Sequence, residues 1–238
     1  MTFHVLTLFP DIIEGYFRDS IMARAVDKGL VGYELVNIRD YSTDRHRSVD
    51  DAPYGGGAGM VLMADPLARA LDAVEAQGRR TIYPSPSGRL FNAAYATELA
   101  AERELVLICG RYEGIDQRII ESYVDDEICV GDYVLSSGEV AALVIVDAVY
   151  RLLRGVLTPE SLSEESFTGG LLEYPQYTRP EAFRGQRVPD VLLSGHHERI
   201  RRWRLMQRVR KTEKNRPDLI RKLGAEQRQL LDELKDFD

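Results

Sequence analysis

Cysteine is scarce: Cys109 and Cys129 are the only two in a chain of 238 residues. Each lies beside a β-branched apolar residue, so the thiols read as core fillers in a reducing compartment and a disulfide framework is excluded. Histidine is nearly as sparse, and His4, His46, His196 and His197 share no metal-ligand spacing with one another or with the cysteines. No apolar run comes near the roughly 18 residues of a bilayer crossing, which excludes a membrane-spanning helix. A basic leader is missing too: MTFHVLTLFPD meets an acid at Asp11 and reads as a first strand, not a secretion signal. There is no GxSxG nucleophile elbow and no GxxxxGK[ST] phosphate loop. The 19 glycines and 10 prolines follow no period and no segment repeats, so collagen-like and low-complexity classes fall away. What remains is 44% hydrophobic and 29% charged with a mean hydropathy of −0.27. That is enough apolar surface to offset backbone ordering, and the expectation is a soluble cytoplasmic protein of one large or two modest domains.

Net charge is −7, from 31 basic and 38 acidic residues, which by itself argues against a polyanion partner. The distribution argues the other way. Residues 174–218 hold twelve Lys or Arg against five acids, an excess of +7 that leaves −14 for the rest of the chain. A basic module on an acidic body suits a nucleic-acid enzyme, because phosphate contacts need local and not global charge. A solvated helix face is the plain alternative, but the density of RIRRWRLMQRVRK favours the first reading. At helical spacing Arg201, Arg204, Arg208 and Lys211 share one face, while Trp203 lies on another beside Ile200 and Gln207 and reads as a packing residue.

Strand-like and helix-like segments alternate through the first two thirds. Strands are expected at residues 3–9, 33–38, 80–83, 105–109 and 128–130. Helices are expected from Pro10 onward and at 64–76, 93–103, 115–122 and 140–153. Near-continuous apolar strands alternating with helices predict an α/β domain with a mostly parallel sheet covered on both faces. Residues 158–167 (TPESLSEESF) lack hydrophobic period and read as linker; beyond Tyr174 the chain looks helical.

In an open α/β sheet ligands sit beyond the carboxyl ends of the strands. Three loops there are loaded with glycine and polar residues: PSPSGR (84–89), GRYEG (110–114) and GDYVLSSGE (131–139). Any one could be a turn and nothing more; three at neighbouring strand ends point to a small-molecule pocket. Gly55 to Met60, GGGAGM, fails the GxGxxG spacing and does not link a strand to a helix.

These blocks carry a resemblance. LFPDII, DRHRSVDDAPYGGGAGM, LICGRYEGID, VGDYVLSSGE, RGVL, ESF and YTRP, followed by VPDVLLSGHH and IRRWR, run in order from about residue 5 to residue 218. The chain resembles the bacterial TrmD family of tRNA (guanine-N1)-methyltransferases, in the SPOUT class. The resemblance implies a domain over 1–157 whose chain threads a deep C-terminal trefoil knot, a flexible linker over 158–173 and a small helical, basic tRNA-binding domain over 174–238. It further implies a homodimer that moves a methyl group from S-adenosyl-L-methionine to N1 of guanosine 37, next to the anticodon, within an anticodon stem-loop carrying guanosines 36 and 37. Mg2+ is reported to help relatives, yet no ligand cluster stands out in this sequence.

Carried over by motif, the donor site takes Gly110 and the run Val130, Gly131, Asp132, Tyr133, Val134 and Leu135. Tyr83, Pro84, Ser85, Ser87 and Gly88 form the loop over adenine and ribose, and Tyr112 and Gly138 shape the walls. Glu113 and Asp132 are placed to favour the donor's positive charges, although Asp132 fits equally well as an Asx turn. N1 of guanine holds a proton at neutral pH, so its lone pair must be freed by a general base. The family places an Asp there, in Glu-Asp-Ser-Phe; here the stretch is Glu164-Glu165-Ser166-Phe167, which puts Glu165 at the position with Glu164 as competitor. Arg151 matches an Arg that meets charge developing on O6, like an oxyanion-hole donor, and read alone it is the polar end of a helix. Arg154 stands where relatives often have Pro. Asp50, Tyr54 and Gly59 are candidates for contacts to the flipped base, with Arg45 and Arg47 for phosphate, or else Asp50 pairs with one of those arginines. Arg201, Arg204 and Arg208 would hold the stem-loop through phosphates.

Two other readings compete. A knotted ribose 2′-O-methyltransferase would share the donor loops but not require GGGAGM or ESF…YTRP. A non-catalytic RNA-binding protein would have no reason to keep the Gly110 and Gly131 loops.

Overall fold

The computed structural model describes residues 1–224. The chain divides into two units, Met1–Leu157 and a second from Thr158 onward.

In the first unit β1 (Thr2–Thr7) is followed by α1 (Pro10–Phe17), α2 (Ser20–Asp27) and β2 (Gly32–Asn37). A two-stranded ribbon of β3 (Asp50–Asp51) and β4 (Val61–Leu62) precedes α3 (Ala64–Ala73), β5 (Arg80–Leu90) and α4 (Ala93–Leu99). Then come β6 (Glu104–Ile108), α5 (Gln117–Tyr123), β7 (Asp126–Cys129) and α6 (Gly138–Tyr150). Five strands form one sheet in the order β2-β1-β6-β5-β7, every neighbour parallel. The period of two decides which residues face which layer. Phe3, Val5, Leu105 and Leu107 join Ile13, Phe17, Tyr95, Ile145 and Val149 in one core. Leu6, Val106 and Ile108 join Leu67, Leu71 and Ile119 in the other. Both faces are therefore buried, which is why the strands read as near-continuous apolar runs.

Several boundaries differ from the sequence reading, among them the helix expected over 93–103, which stops at Leu99. The helix expected over 64–76 stops at Ala73, because Glu75 adopts a left-handed conformation (φ 49°) and a 3-10 turn follows. The strand expected to end at Tyr83 resumes: Pro84 and Arg89 both pair with Ile128, so residues 85–88 loop out and β5 continues to Leu90. The helix expected at 140–153 starts at Gly138 and ends at Tyr150.

The second unit holds α7 (Pro159–Ser163), a small hairpin of β8 (Ala182–Phe183) and β9 (Gln186–Arg187), α8 (Asp190–Leu193), α9 (His197–Asn215) and α10 (Pro217–Lys222). Leu171, Val209 and Leu223 form its small core. The stretch expected to be irregular linker thus opens with a helical turn. Thr158 caps it by accepting the Ser161 N–H, and Pro159 fills the first turn, both ordinary helix-start chemistry. Pro217 forces Arg216 out of helical geometry and separates α9 from α10. Part of the segment expected to be helical, 225–238, lies outside the described residues.

Candidate active site

The carboxyl ends of β5, β6 and β7 converge on a cavity of about 240 Å3. Tyr83, Pro84, Ser85, Gly110, Tyr112, Glu113, Val130, Gly131, Tyr133, Val134, Leu135 and Gly138 all line it. Ser87 and Gly88 are not part of the wall but support it. Ser87 Oγ lies 3.0 Å from Ser85 Oγ, and Gly88 runs so close to β7 that a Cβ there would fall 2.4 Å from the Glu127 carbonyl carbon. Asp132 is not among the lining residues. A wider depression of about 800 Å3 lies at the opposite end of the strands, among Glu75, Arg79, Arg80, Glu102 and Glu104. Its arginines are already paired, Arg79 with Glu104 and Arg80 with Glu98 and Asp126. The smaller cavity, with its glycine turns, is the candidate site.

Its floor is backbone. Gly138 N–H donates to the Gly110 carbonyl at 2.9 Å, which brings the start of α6 against the end of β6. A Cβ on Gly138 would lie 2.5 Å from the Gly110 nitrogen, so no other residue fits without moving one of the two loops. The GRYEG loop is held on its other side by the ribbon: Glu113 N–H donates to the Met60 carbonyl at 3.0 Å, and Leu62 N–H to the Gly114 carbonyl at 3.0 Å. Gly59 packs on the Glu113 side chain, where a Cβ would come within 2.4 Å of Oε1. The GGGAGM block and the cavity therefore share a wall.

Beside that wall Tyr54 is fully exposed, and Asp50 pairs with Leu62 across the ribbon. Arg47 forms its ion pair with Asp40 at 3.1 Å, not with Asp50, and Arg45 is exposed. Arg151 caps α6 and is half-buried; Arg154 is exposed.

Arg111 and Glu139 were missed in the sequence. Arg111 lines the cavity, stacks over the Phe9 ring at 4.4 Å and donates to the Ser136 carbonyl at 3.2 Å. Glu139 is completely buried and accepts the Thr7 hydroxyl at 2.7 Å, with Arg111 Nε 3.8 Å away. The available signal was an acid at the second position of a mostly apolar helix, where the helix dipole favours it. Burial, and then the charge of Glu139, push the Cys109 thiol up, so it is a filler and not a nucleophile. Burial and then Glu127 raise the Tyr83 hydroxyl, leaving a neutral donor at the cavity edge. Among the described residues no group of three or more His, Cys, Asp or Glu side chains could hold a metal ion, and no helix is long and apolar enough to cross a membrane.

In the second unit Glu165 is half-buried while Glu164 is exposed. Tyr174 donates its hydroxyl to Glu164 at 2.5 Å, and Arg204 pairs with the same carboxylate at 3.4 Å. Burial, with the Glu164 hydrogen bond second, raises the Tyr174 hydroxyl. Arg201 is exposed and bonds Glu198 at 2.8 Å. Arg208 donates to the carbonyls of Thr168 (2.7 Å) and Leu172 (3.2 Å). Trp203 is half-buried next to Tyr177, ring centroids 6.3 Å apart.

Comparison with known proteins agrees on one family. The family model described as tRNA (Guanine-1)-methyltransferase TrmD matches residues 1–222. A protein of Treponema denticola named tRNA (guanine-N(1)-)-methyltransferase is 64% identical over 222 residues, covering 93% of this chain and 91% of its own. Proteins of the same name from Treponema pallidum and Borrelia duttonii are each 60% identical, over 92% and 93% of this chain and 88% and 93% of theirs.

Proposed function

The chain belongs to the TrmD family of tRNA (guanine-1)-methyltransferases, and from that premise we propose how its residues methylate N1 of guanosine 37 in tRNA. S-adenosyl-L-methionine, when bound, supplies an electrophilic methyl group on a positively charged sulfur. The cavity suits such a donor. Its floor is backbone at Gly110 and Gly138 with the Tyr83 ring packed on Gly110, the exposed Val134 and Leu135 offer apolar surface to a base, and the Glu113 carboxylate favours positive charge. Polar backbone groups with a few apolar walls are how compact ligand sites read a heterocycle.

Guanine N1 carries a proton at neutral pH, so a base must take it as the ring nitrogen captures carbon. Glu165 is that base. The half-buried Glu165 stands at the second position of the Glu164-Glu165-Ser166-Phe167 stretch, where the family carries its Asp, while Glu164 binds Tyr174 and Arg204. Arg151 meets the negative charge that moves onto O6 as the proton leaves. Asp50, Tyr54 and Gly59 receive the flipped base, and Arg45 and Arg201 take phosphates of the anticodon stem-loop, in which guanosine 36 precedes the target.

The reading also includes the family's trefoil knot in the sheet, a cytoplasmic setting and a homodimer. Ile12, Val140 and Val144 are each more than two-fifths exposed. The Tyr16 hydroxyl bonds Asp147 and so sets α1 beside α6, giving these residues one apolar face for a second copy.

The observation that carries the proposal is the shared wall at Gly59 and Glu113, which joins the cavity to the GGGAGM block. The test is methylation of a transcript carrying guanosines 36 and 37 beside one with guanosine 37 replaced, followed by nucleoside analysis. The expected result is N1-methylguanosine from the first alone. A methylated ribose, or equal product from both transcripts, overturns the reading.

A further inference from the structure

Read as a charge pattern, Arg201, Arg204, Arg208 and Lys211 make a phosphate-facing stripe. The contacts follow a different line along α9, at steps of four, Arg204, Arg208 and Thr212, with Arg216 just beyond the helix end. On a helix such residues lie one above another on a single face, and here that face is turned to residues 164–174. Arg204 engages Glu164 and stacks over the Tyr174 ring at 4.6 Å. Arg208 holds the Thr168 and Leu172 carbonyls. Thr212, completely buried, accepts the Leu172 N–H at 2.8 Å while giving its proton to the Arg208 carbonyl at 2.6 Å. Arg216 lies over the Phe167 ring at 6.0 Å.

The segment so gripped is one that would otherwise wander. It contains Gly169 and Gly170, both left-handed, and Phe167 is left-handed too at φ 77°. Its own bonds close it into a small loop: Phe167 N–H to the Leu171 carbonyl (2.7 Å), Glu173 N–H to Ser166 Oγ (3.0 Å) and Thr168 N–H to the Glu165 carbonyl (3.3 Å). The loop begins with Glu165, and its two ends are tied to α9 through Glu164 and Leu172. A guanidinium fork on two carbonyls is charge-assisted and directional, whereas a phosphate contact needs only positive charge nearby.

We infer that Arg208 and Thr212 are positioning residues: they clasp the 164–174 loop to α9 and so fix the placement of Glu165, and Arg208 is not a phosphate contact. This rests on Glu165 being the base. A misplaced base slows the chemical step without changing how tightly substrates bind. A lost phosphate contact weakens tRNA binding and flattens its salt dependence.

The test uses the full-length protein with an anticodon stem-loop transcript. Single-turnover rate at saturating donor and RNA, RNA affinity and its salt slope are measured for Arg208→Ala, Arg208→Lys and Thr212→Val, with thermal melting to confirm folding. The expected result for Arg208→Ala is a rate lower by about tenfold to a hundredfold, with RNA affinity and salt slope unchanged. Arg208→Lys keeps the charge but loses the fork, so it is expected to stay slow. Thr212→Val, nearly isosteric and uncharged, is expected to slow the step by about tenfold. In a Glu165→Ala background Arg208→Ala should add no further loss, because the group it positions is gone. Arg208→Ala at wild-type rate with weakened RNA binding, or full rescue by Lys, overturns the clasp. Full turnover by Glu165→Ala alone overturns the base assignment and the clasp with it. A slow Glu165→Ala beside a fast, folded Arg208→Ala and Thr212→Val sinks the clasp and spares the base.

Discussion

The cavity at the strand ends and the loop that carries Glu165 are built by opposite means. The cavity is shaped by main chain against main chain. Gly138 bonds Gly110, Gly88 lies against β7, and the strands behind them are buried on both faces. Among the described residues the 164–174 loop rests on a small core, Leu171 with Val209 and Leu223 and with Leu205 and Ile220 packed against them, and it is held by side chains reaching from one helix. A backbone-built pocket is stiff, and any enlargement of its glycines is felt at once. A side-chain-held loop can be loosened one contact at a time, which suits a group that must be placed for one step of the reaction.

The sharpest way to break the contrast is at Gly138. Gly138→Ala drives a methyl group into the Gly110 amide, and overpacking of this kind is worth about 2 kcal/mol or more, roughly thirtyfold in affinity. The expected outcome in a calorimetric titration with S-adenosylmethionine is that loss, with the RNA affinity of the protein untouched. Donor binding at wild-type strength would show that the floor is not where the donor sits.

A comparable effect, on stability and not binding, is expected at Arg80. Burial works against the charged form of Asp126, yet hydrogen bonds from Arg80 and Tyr95 outweigh it and hold Asp126 below the usual carboxylate range. A depressed carboxylate lends stability that is fully present above its unfolded value and is lost as pH falls through the lower folded one. Arg80→Ala should therefore destabilise the protein by about 2 kcal/mol near neutrality, and melting followed down in pH should show a shallower acid decline than in the wild type. An unchanged acid limb would mean that Arg80 does not set the Asp126 charge.

The smallest effect is expected at Glu164. Its pair with Arg204 is half exposed, and such pairs contribute ~0.2–1 kcal/mol. Glu164→Gln should lower the methylation rate by about threefold at most. A fall by several orders of magnitude would make Glu164 the base in place of its neighbour.

Much of this was readable from the sequence, for reasons that are local. β1 and β6 announced themselves as apolar runs because both faces of the sheet are covered, and the three loops stood out because glycine and polar residues cluster where strands end. The misses around the site are long-range, whereas the helical turn at Pro159 was a local signal passed over. Ser85 to Gly88 read as a turn after a finished strand, and only the approach to β7 shows that β5 resumes. Glu139 read as the last residue of a polar loop, since its partner Thr7 lies 132 residues upstream. Arg204 and Arg208 looked like a stripe of positive charge because the acceptors that claim Arg208 stand 36 and 40 residues away.

The most direct test sets the two regions against each other in a single variant. Glu165→Ala is assayed for donor affinity and, at saturating donor and RNA, for the rate of one round of methyl transfer. The expected result is an unaltered dissociation constant with a rate lower by about 10²- to 10⁴-fold. A rate equal to the wild type, or a donor affinity that collapses along with it, would contradict the claim that the pocket holds the methyl source and the clasped loop holds the base.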